Sequence, residues 1–189
     1  TVSHELRTPL TSIKAYTDTM LSDSLEFTDA ERKEFIEIIA TESDKMEQLI
    51  VQILTIVELE SGKYRYTFTN TYIRNILSEI LTDLDEKITA KNHKVNLQIA
   101  ENVENISIYC DTQMFKLAMK NVIDNAIKFT NSFGEIDITA EIDAQQNLLI
   151  KVKDNGIGIQ IDDKTKIFNK FMQIEDLNYH GEGLGLGLP

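Results

Sequence analysis

Apolar residues in the first sixty positions recur with a helical period. Leu6, Ile13 and Met20 stand seven residues apart. The polar break "SDSLEF" follows, and "TDAE" then sets Thr28 and Glu31 at the spacing of a capping box that starts a helix. Beyond it, Phe35, Glu42, Leu49 and Ile56 form one seven-residue series, and Ile39, Met46 and Ile53 form another. This is a coiled-coil-like stripe with one polar interruption. Two helices alone bury such a stripe poorly. The pattern predicts an antiparallel hairpin that pairs with a second copy into a dimeric four-helix bundle. The alternative is a hairpin packed on its own chain.

Gly62, in "ESGKYRY", ends the second helix, and the texture changes after it. "YRYTFT" reads as a strand. Ile73, Ile76, Leu77, Ile80, Leu81, Leu84 and Ile88 trace one helical face. "KVNLQI" and "ISIYC" alternate with period two, as half-buried strands do. Asp111 can cap a helix that carries Met114, Phe115, Ala118, Val122, Ile123 and Ala126. "EIDITAEID" and "NLLIKVKD" read as a hairpin around "AQQN". The expectation is an α+β layer, a mixed sheet with helices on one face.

Composition narrows the classes. Of 189 residues, 42% are hydrophobic and 26% charged, the balance of a soluble globular chain of one or two domains. The formal net charge of −12 repels nucleic-acid phosphate and anionic lipid. No nucleic acid and no membrane contact are therefore expected. A single cysteine, Cys110, excludes an internal disulfide and suits a reducing, cytoplasmic setting. No apolar run approaches membrane-spanning length. The abrupt start without methionine points to a piece of something longer, whose membrane anchorage is left open.

Four stretches carry candidate chemistry. In "DNGIGI", Asp154 follows an apolar strand, and Gly156 and Gly158 let backbone N–H groups approach a ligand. A buried aspartate there can accept the exocyclic amine of adenine, although Asp-Asn-Gly is also a turn signal. In "GEGLGLGL", Gly181, Gly183, Gly185 and Gly187 can turn successive N–H groups toward phosphate, or form a flexible tail. In "NVIDNAIKF", Asn121, Asn125 and Lys128 share one helix face. An asparagine oxygen suits Mg²⁺, and a lysine one turn on can reach phosphates; a solvated polar face is the plainer reading. The opening "SHELRTPL" pairs His4 with Glu5. Position 8 is Thr, so the zinc-protease pattern with a second histidine fails. Pro9 inside a helical pattern should kink the helix beside His4.

These pieces, in this order, resemble the catalytic core of a sensor histidine kinase of two-component signalling. "SHELRTPLTSI" is similar to the family's H box, "NVIDNAIKF" to its N box and "DNGIGI" to its G1 box. "IFNKF" is similar to the F box and "GEGLGLGL" to the G2 box. The resemblance covers essentially the whole chain. It implies a helical hairpin over residues 1–62 for dimerisation and phosphotransfer. It implies an α/β sandwich of the Bergerat (GHKL) type over 63–189, cut short at its C-terminus.

The resemblance also implies roles. His4 is the phosphoacceptor, and Glu5 orients its imidazole or takes its proton. Arg7 is a candidate to steady phosphate charge, Thr8 a candidate for phosphatase activity, and Pro9 supplies a bend. Asn125 holds Mg²⁺, with Asn121 and Lys128 at the phosphates of ATP. Phe129 borders the adenine, and Asp154 receives its amine beside Gly156 and Gly158. Lys170 is a candidate γ-phosphate ligand. Gly181, Gly183, Gly185 and Gly187 form a phosphate loop after a lid at about residues 160–180. His180 reads as a solvated loop residue or a phosphate contact. The implied partners are a second copy and the receiver domain of a response regulator. The rival readings are a conformational ATPase of the gyrase type and an inactive scaffold.

Overall fold

A computed structural model describes residues 2–22, 26–160 and 163–169, with Gly185 and Leu188. Two compact units divide the chain between Arg65 and Tyr66.

The first unit is a pair of helices, α1 (Val2–Met20) and α2 (Asp29–Glu60). The capping box forms as its spacing predicts. The Glu31 amide donates to Thr28 Oγ1 at 3.3 Å, and the Thr28 amide donates to Glu31 Oε2 at 2.8 Å. That second bond holds the Glu31 carboxyl below its ordinary pKa. Gly62, at φ +64°, follows the last turn of α2. Near the hairpin turn Phe35 packs against both Tyr16 and Phe27, with ring centroids 5.4 and 5.3 Å apart. Every residue of the two heptad series on α2 is half-buried. A second apolar stripe is not covered: Ile36, Ile50, Leu54 and Val57 are 45–57% exposed. Pro9 lies inside α1 and is buried, and the helix runs through it without a break. The expected bend therefore does not end or divide the helix.

The second unit opens with β1 (Phe68–Tyr72), α3 (Ile73–Asp83), α4 (Asp85–Ala90) and β2 (Lys94–Ile99). It continues with α5 (Glu101–Glu104), β3 (Ser107–Asp111), α6 (Thr112–Phe129), β4 (Glu135–Ile142) and β5 (Leu148–Asp154). A short 3-10 turn spans Lys166–Phe168. The strands form two sheets rather than the one mixed sheet expected. β1 and β3 pair antiparallel, while β4 runs parallel to β2 and antiparallel to β5. β4 buries Ile136, Ile138 and Ala140 by simple alternation. Against them lie the buried faces of α3 (Ile73, Ile76, Leu77, Ile80) and α6 (Ile123, Ala126, Ile127).

Three local expectations shift. The first strand begins at Phe68, later than "YRYTFT" suggests. The apolar face from Ile73 to Ile88 is split over two helices, because Leu84 takes φ −102° and ψ 3°. Val122 is 36% exposed, and Ile127 is buried in its place. The core stripe is the i, i+3, i+4 set 123, 126, 127, one position round from the expected set. Asp111 caps α6 as its position predicts. Its Oδ1 accepts the Met114 amide at 3.0 Å and its Oδ2 accepts the Thr67 amide at 2.7 Å. Those amides, Met114 first, hold its carboxyl below the ordinary range.

Among the described residues Phe133 is the bulkiest with positive φ, at +65°, and its side chain is 79% exposed. Left-handed backbone disfavours a residue with a Cβ, and an exposed ring gains little from packing. Phe133→Gly should raise the stability of the second unit by about 1 kcal/mol in denaturant unfolding. A loss of stability would show that the ring packs in solution.

Candidate functional site

The C-terminal half of α6 and the loop after β5 are built against one another. Asn121, Asn125 and Lys128 share a half-buried face of α6, while Ile123, Ala126 and Ile127 fill the core on the other side. The Lys128 ammonium lies 5.1 Å from the centre of the Phe129 ring. At the helix end the Phe129 carbonyl accepts the amide of Ile157 at 3.2 Å. Gly156 fits under the same carbonyl so closely that a Cβ there would collide with it. Asp154 ends β5, and its Oδ1 accepts the Gly156 amide at 2.9 Å, closing a tight turn. Five of the sequence candidates are thus tied to one helix end: Lys128, Phe129, Asp154, Gly156 and Gly158. Asp154 is exposed, not buried as expected. Gly158 takes φ +72°, a conformation that favours glycine, with open space where a side chain would stand.

Residues that sequence reasoning missed complete this region. Asn155 exchanges two bonds with Glu135 at the start of β4. Its Oδ1 accepts the Glu135 amide at 2.9 Å, and its own amide donates to the Glu135 carbonyl at 3.2 Å. Gly134 allows that approach, since a Cβ there would meet Asn155 Oδ1 at 2.8 Å. Lys91 reaches the end of α6 from the end of α4. Gly134 had a signal, as a glycine between a helix and a strand. Lys91 had none.

On α1, His4 and Thr8 are exposed, one turn apart, and the Thr8 hydroxyl donates to the His4 carbonyl at 3.3 Å. His4, Arg7, Thr8, Thr11, Ser12 and Ala15 line a shallow depression along one helix face. Glu5 is half-buried and lies about 100° round the helix from His4. Lys170, His180, Gly181, Gly183 and Gly187 lie outside the described residues. Gly185 is described, with φ +64°.

Residues 1–62 match the family described as the His Kinase A (phospho-acceptor) domain. Residues 110–189 match the Histidine kinase-, DNA gyrase B-, and HSP90-like ATPase family. A phosphoacceptor hairpin followed by an ATPase domain of that kind defines a histidine kinase core. The chain belongs to the sensor histidine kinases of two-component signalling.

It is 30% identical over 196 residues to drug sensory protein A of Synechocystis sp., covering 99% of this chain and 29% of the relative. Over 193 residues it is 33% identical to the circadian input-output histidine kinase CikA of Thermosynechococcus vestitus, covering 100% and 26%. The chain thus spans 26–29% of the length of these relatives. Its fold is similar to that of the Acinetobacter baumannii histidine kinase AdeS, with TM-score 0.72, 22% identity and coverage of 98% and 83%. It is also similar to histidine kinase ThkA, solved in complex with response regulator protein TrrA. There the TM-score is 0.64 and the identity 26%, covering 91% of this chain and 49% of that one.

The packing at Gly156 has a direct consequence. Gly156→Ala should destabilise the second unit by about 1–3 kcal/mol, because a methyl group must displace the helix end. Gly158→Ala should cost about 1 kcal/mol, through its backbone angle alone. Urea unfolding of the two variants tests the order; equal losses would mean the close contact relaxes freely.

Proposed function

We propose that this chain autophosphorylates on His4, using ATP, and passes the phosphoryl group to an aspartate of a response-regulator receiver domain. Residues 1–62 form the dimerisation and phosphotransfer domain, and residues 63–189 the ATP-binding domain. The supporting observation is the joined end of α6 and the 154–158 loop, which brings Lys128, Phe129 and Asp154 to one edge of the second unit. The phospho-acceptor match over residues 1–62 favours this reading over a gyrase-type clamp.

The donor chemistry fits a nucleotide. The exposed Asp154 carboxylate accepts the exocyclic amine of adenine, with Phe129 beside the base. Asn121 and Lys128 would face the phosphates, and the glycine run at 181–187 and Lys170 are further candidate phosphate ligands. Among the described residues no three His, Cys, Asp or Glu side chains cluster around a metal position. Asn125 would hold Mg²⁺ by its amide oxygen, with phosphate oxygens and water as further ligands. When bound, that ion neutralises charge on the phosphates.

In the transfer, a ring nitrogen of His4 forms a bond to the γ-phosphorus as the bond to the bridging oxygen breaks and ADP leaves. Glu5 keeps the imidazole in the tautomer with that nitrogen unprotonated and takes up the ring proton. Thr8, one turn on, serves the reverse task of hydrolysing the phosphorylated partner. Exposed His4, with Arg7, Thr8 and Thr11 along the same face, gives a receiver domain its docking strip. ThkA has been solved with such a regulator.

Dimerisation follows from the surplus of apolar surface on α2. Its heptad series is half-buried within the hairpin, yet Ile36, Ile50, Leu54 and Val57 remain exposed. A second copy that covers this stripe completes a four-helix bundle. Among the described residues no helix is long and apolar enough to cross a membrane. We place the kinase core in the cytoplasm, where ATP is available.

Two outcomes are expected. With γ-labelled ATP and Mg²⁺ the chain should acquire an acid-labile, base-stable label that is lost in His4→Gln; label that survives this substitution sinks the assignment. In sedimentation, Leu54→Glu should shift the chain from dimer toward monomer while its helix content persists. An unchanged dimer would place the interface elsewhere.

A further inference from the structure

We infer that Lys91 is a positioning residue of the nucleotide site, holding the end of α6 in register with the 154–158 loop. The inference rests on the nucleotide reading above. An α-helix leaves its last four carbonyls without partners inside the helix. In α6 these belong to Ala126, Ile127, Lys128 and Phe129, and each is met from outside. The Thr130 amide donates to Ala126 at 3.1 Å, and the Ile157 amide donates to Phe129 at 3.2 Å. The two carbonyls between them are both taken by Lys91, whose Nζ donates to Ile127 at 2.9 Å and to Lys128 at 2.7 Å. Its third bond goes to the Thr130 carbonyl at 3.0 Å.

An ammonium has three N–H donors. All three are committed to backbone oxygens, in a partly buried position. This lysine is therefore neither a surface charge nor a phosphate ligand. A cation at the C-terminus of a helix is also favoured by the helix dipole. The backbone of Lys91 adds a fourth tie, since its carbonyl accepts the Phe133 amide at 2.8 Å. One residue thus fixes the last turn of α6 and the chain that leaves it.

The geometry links that tie to the site. Lys128 contributes a carbonyl to Lys91 and a side chain to the phosphate face. Phe129, the next residue, holds Ile157 and leaves no room at Gly156. If Nζ is removed, two adjacent carbonyls at the helix end lose that donor, and the last turn loosens. The Phe129 carbonyl moves, and the Asp154–Gly158 loop moves with it. The loss then falls on nucleotide affinity beyond any loss of stability.

The test compares Lys91→Met with Val103→Ala, a buried change on α5 that destabilises without touching these bonds. ADP with Mg²⁺ is titrated calorimetrically at a temperature where both variants are folded. Amide exchange is followed at residues 126–130 and 156–158. Lys91→Met should weaken ADP binding about tenfold or more and speed exchange at Ile157, given the strength of charge-assisted hydrogen bonds. Val103→Ala should keep wild-type affinity. Lys91→Arg carries the test if Lys91→Met does not fold. A planar guanidinium spreads its N–H donors over a fork and cannot set three of them at the point Nζ occupies, so its affinity should fall at least threefold. Wild-type affinity in a folded Lys91 variant overturns the inference, as does an equal loss in Val103→Ala. If the unaltered chain binds no ADP, the nucleotide reading fails and the inference with it. Fast exchange at Ile157 only in the Lys91 variants would then still mark the clamp as structural.

Discussion

The structure around the candidate site depends on how one helix ends. α6 carries Asn121, Asn125 and Lys128 on its outer face and core residues on its inner face, and it stops at Phe129. Four carbonyls would face away from any helical partner there, next to a glycine-rich loop. They receive donors from three parts of the chain: the following residue, a lysine at the end of α4 that takes two of them, and an amide after β5. Helix, loop and lysine are held at one point. Side chains that must converge on a single ligand need such a point, because small displacements of a reacting group cost large factors in rate.

The first unit solves a different problem. Its helices bury one apolar stripe between them and leave another facing outward. A single hairpin gains nothing from the second stripe, which is why the proposed second copy is placed there. The proposed phosphoacceptor needs the opposite environment. His4 is exposed at the start of α1, on a strip with Arg7, Thr8, Thr11 and Ser12 that leaves its ring accessible.

Much of this was legible from the sequence, where the signal is local. The Thr28–Glu31 box, the Asp111 cap, the hairpin at residues 143–147 and the strand before Asp154 all depend on neighbours within a few positions. The grouping of Asn121, Asn125 and Lys128 follows from helical geometry alone. The errors have physical causes too. Where apolar residues crowd a helix, two adjacent stripes fit the period, and packing against β4 selected Ile127 over Val122. Five strands with suitable patterns do not reveal how many sheets they make. Lys91 was invisible because its partners lie 36, 37 and 39 residues away, and a lysine among polar residues looks like solvent-facing surface.

Asp111 has one further consequence. One carboxylate oxygen holds the first turn of α6, and the other holds the amide of Thr67, just past the boundary between the units. The connecting chain is thereby spliced onto the helix. α6 is 18 residues long, a rod of about 27 Å, and its far end is the one locked to the glycine loop. A helix is stiff along its axis. The start of the second unit and the loop after β5 are thus fixed to opposite ends of one helix.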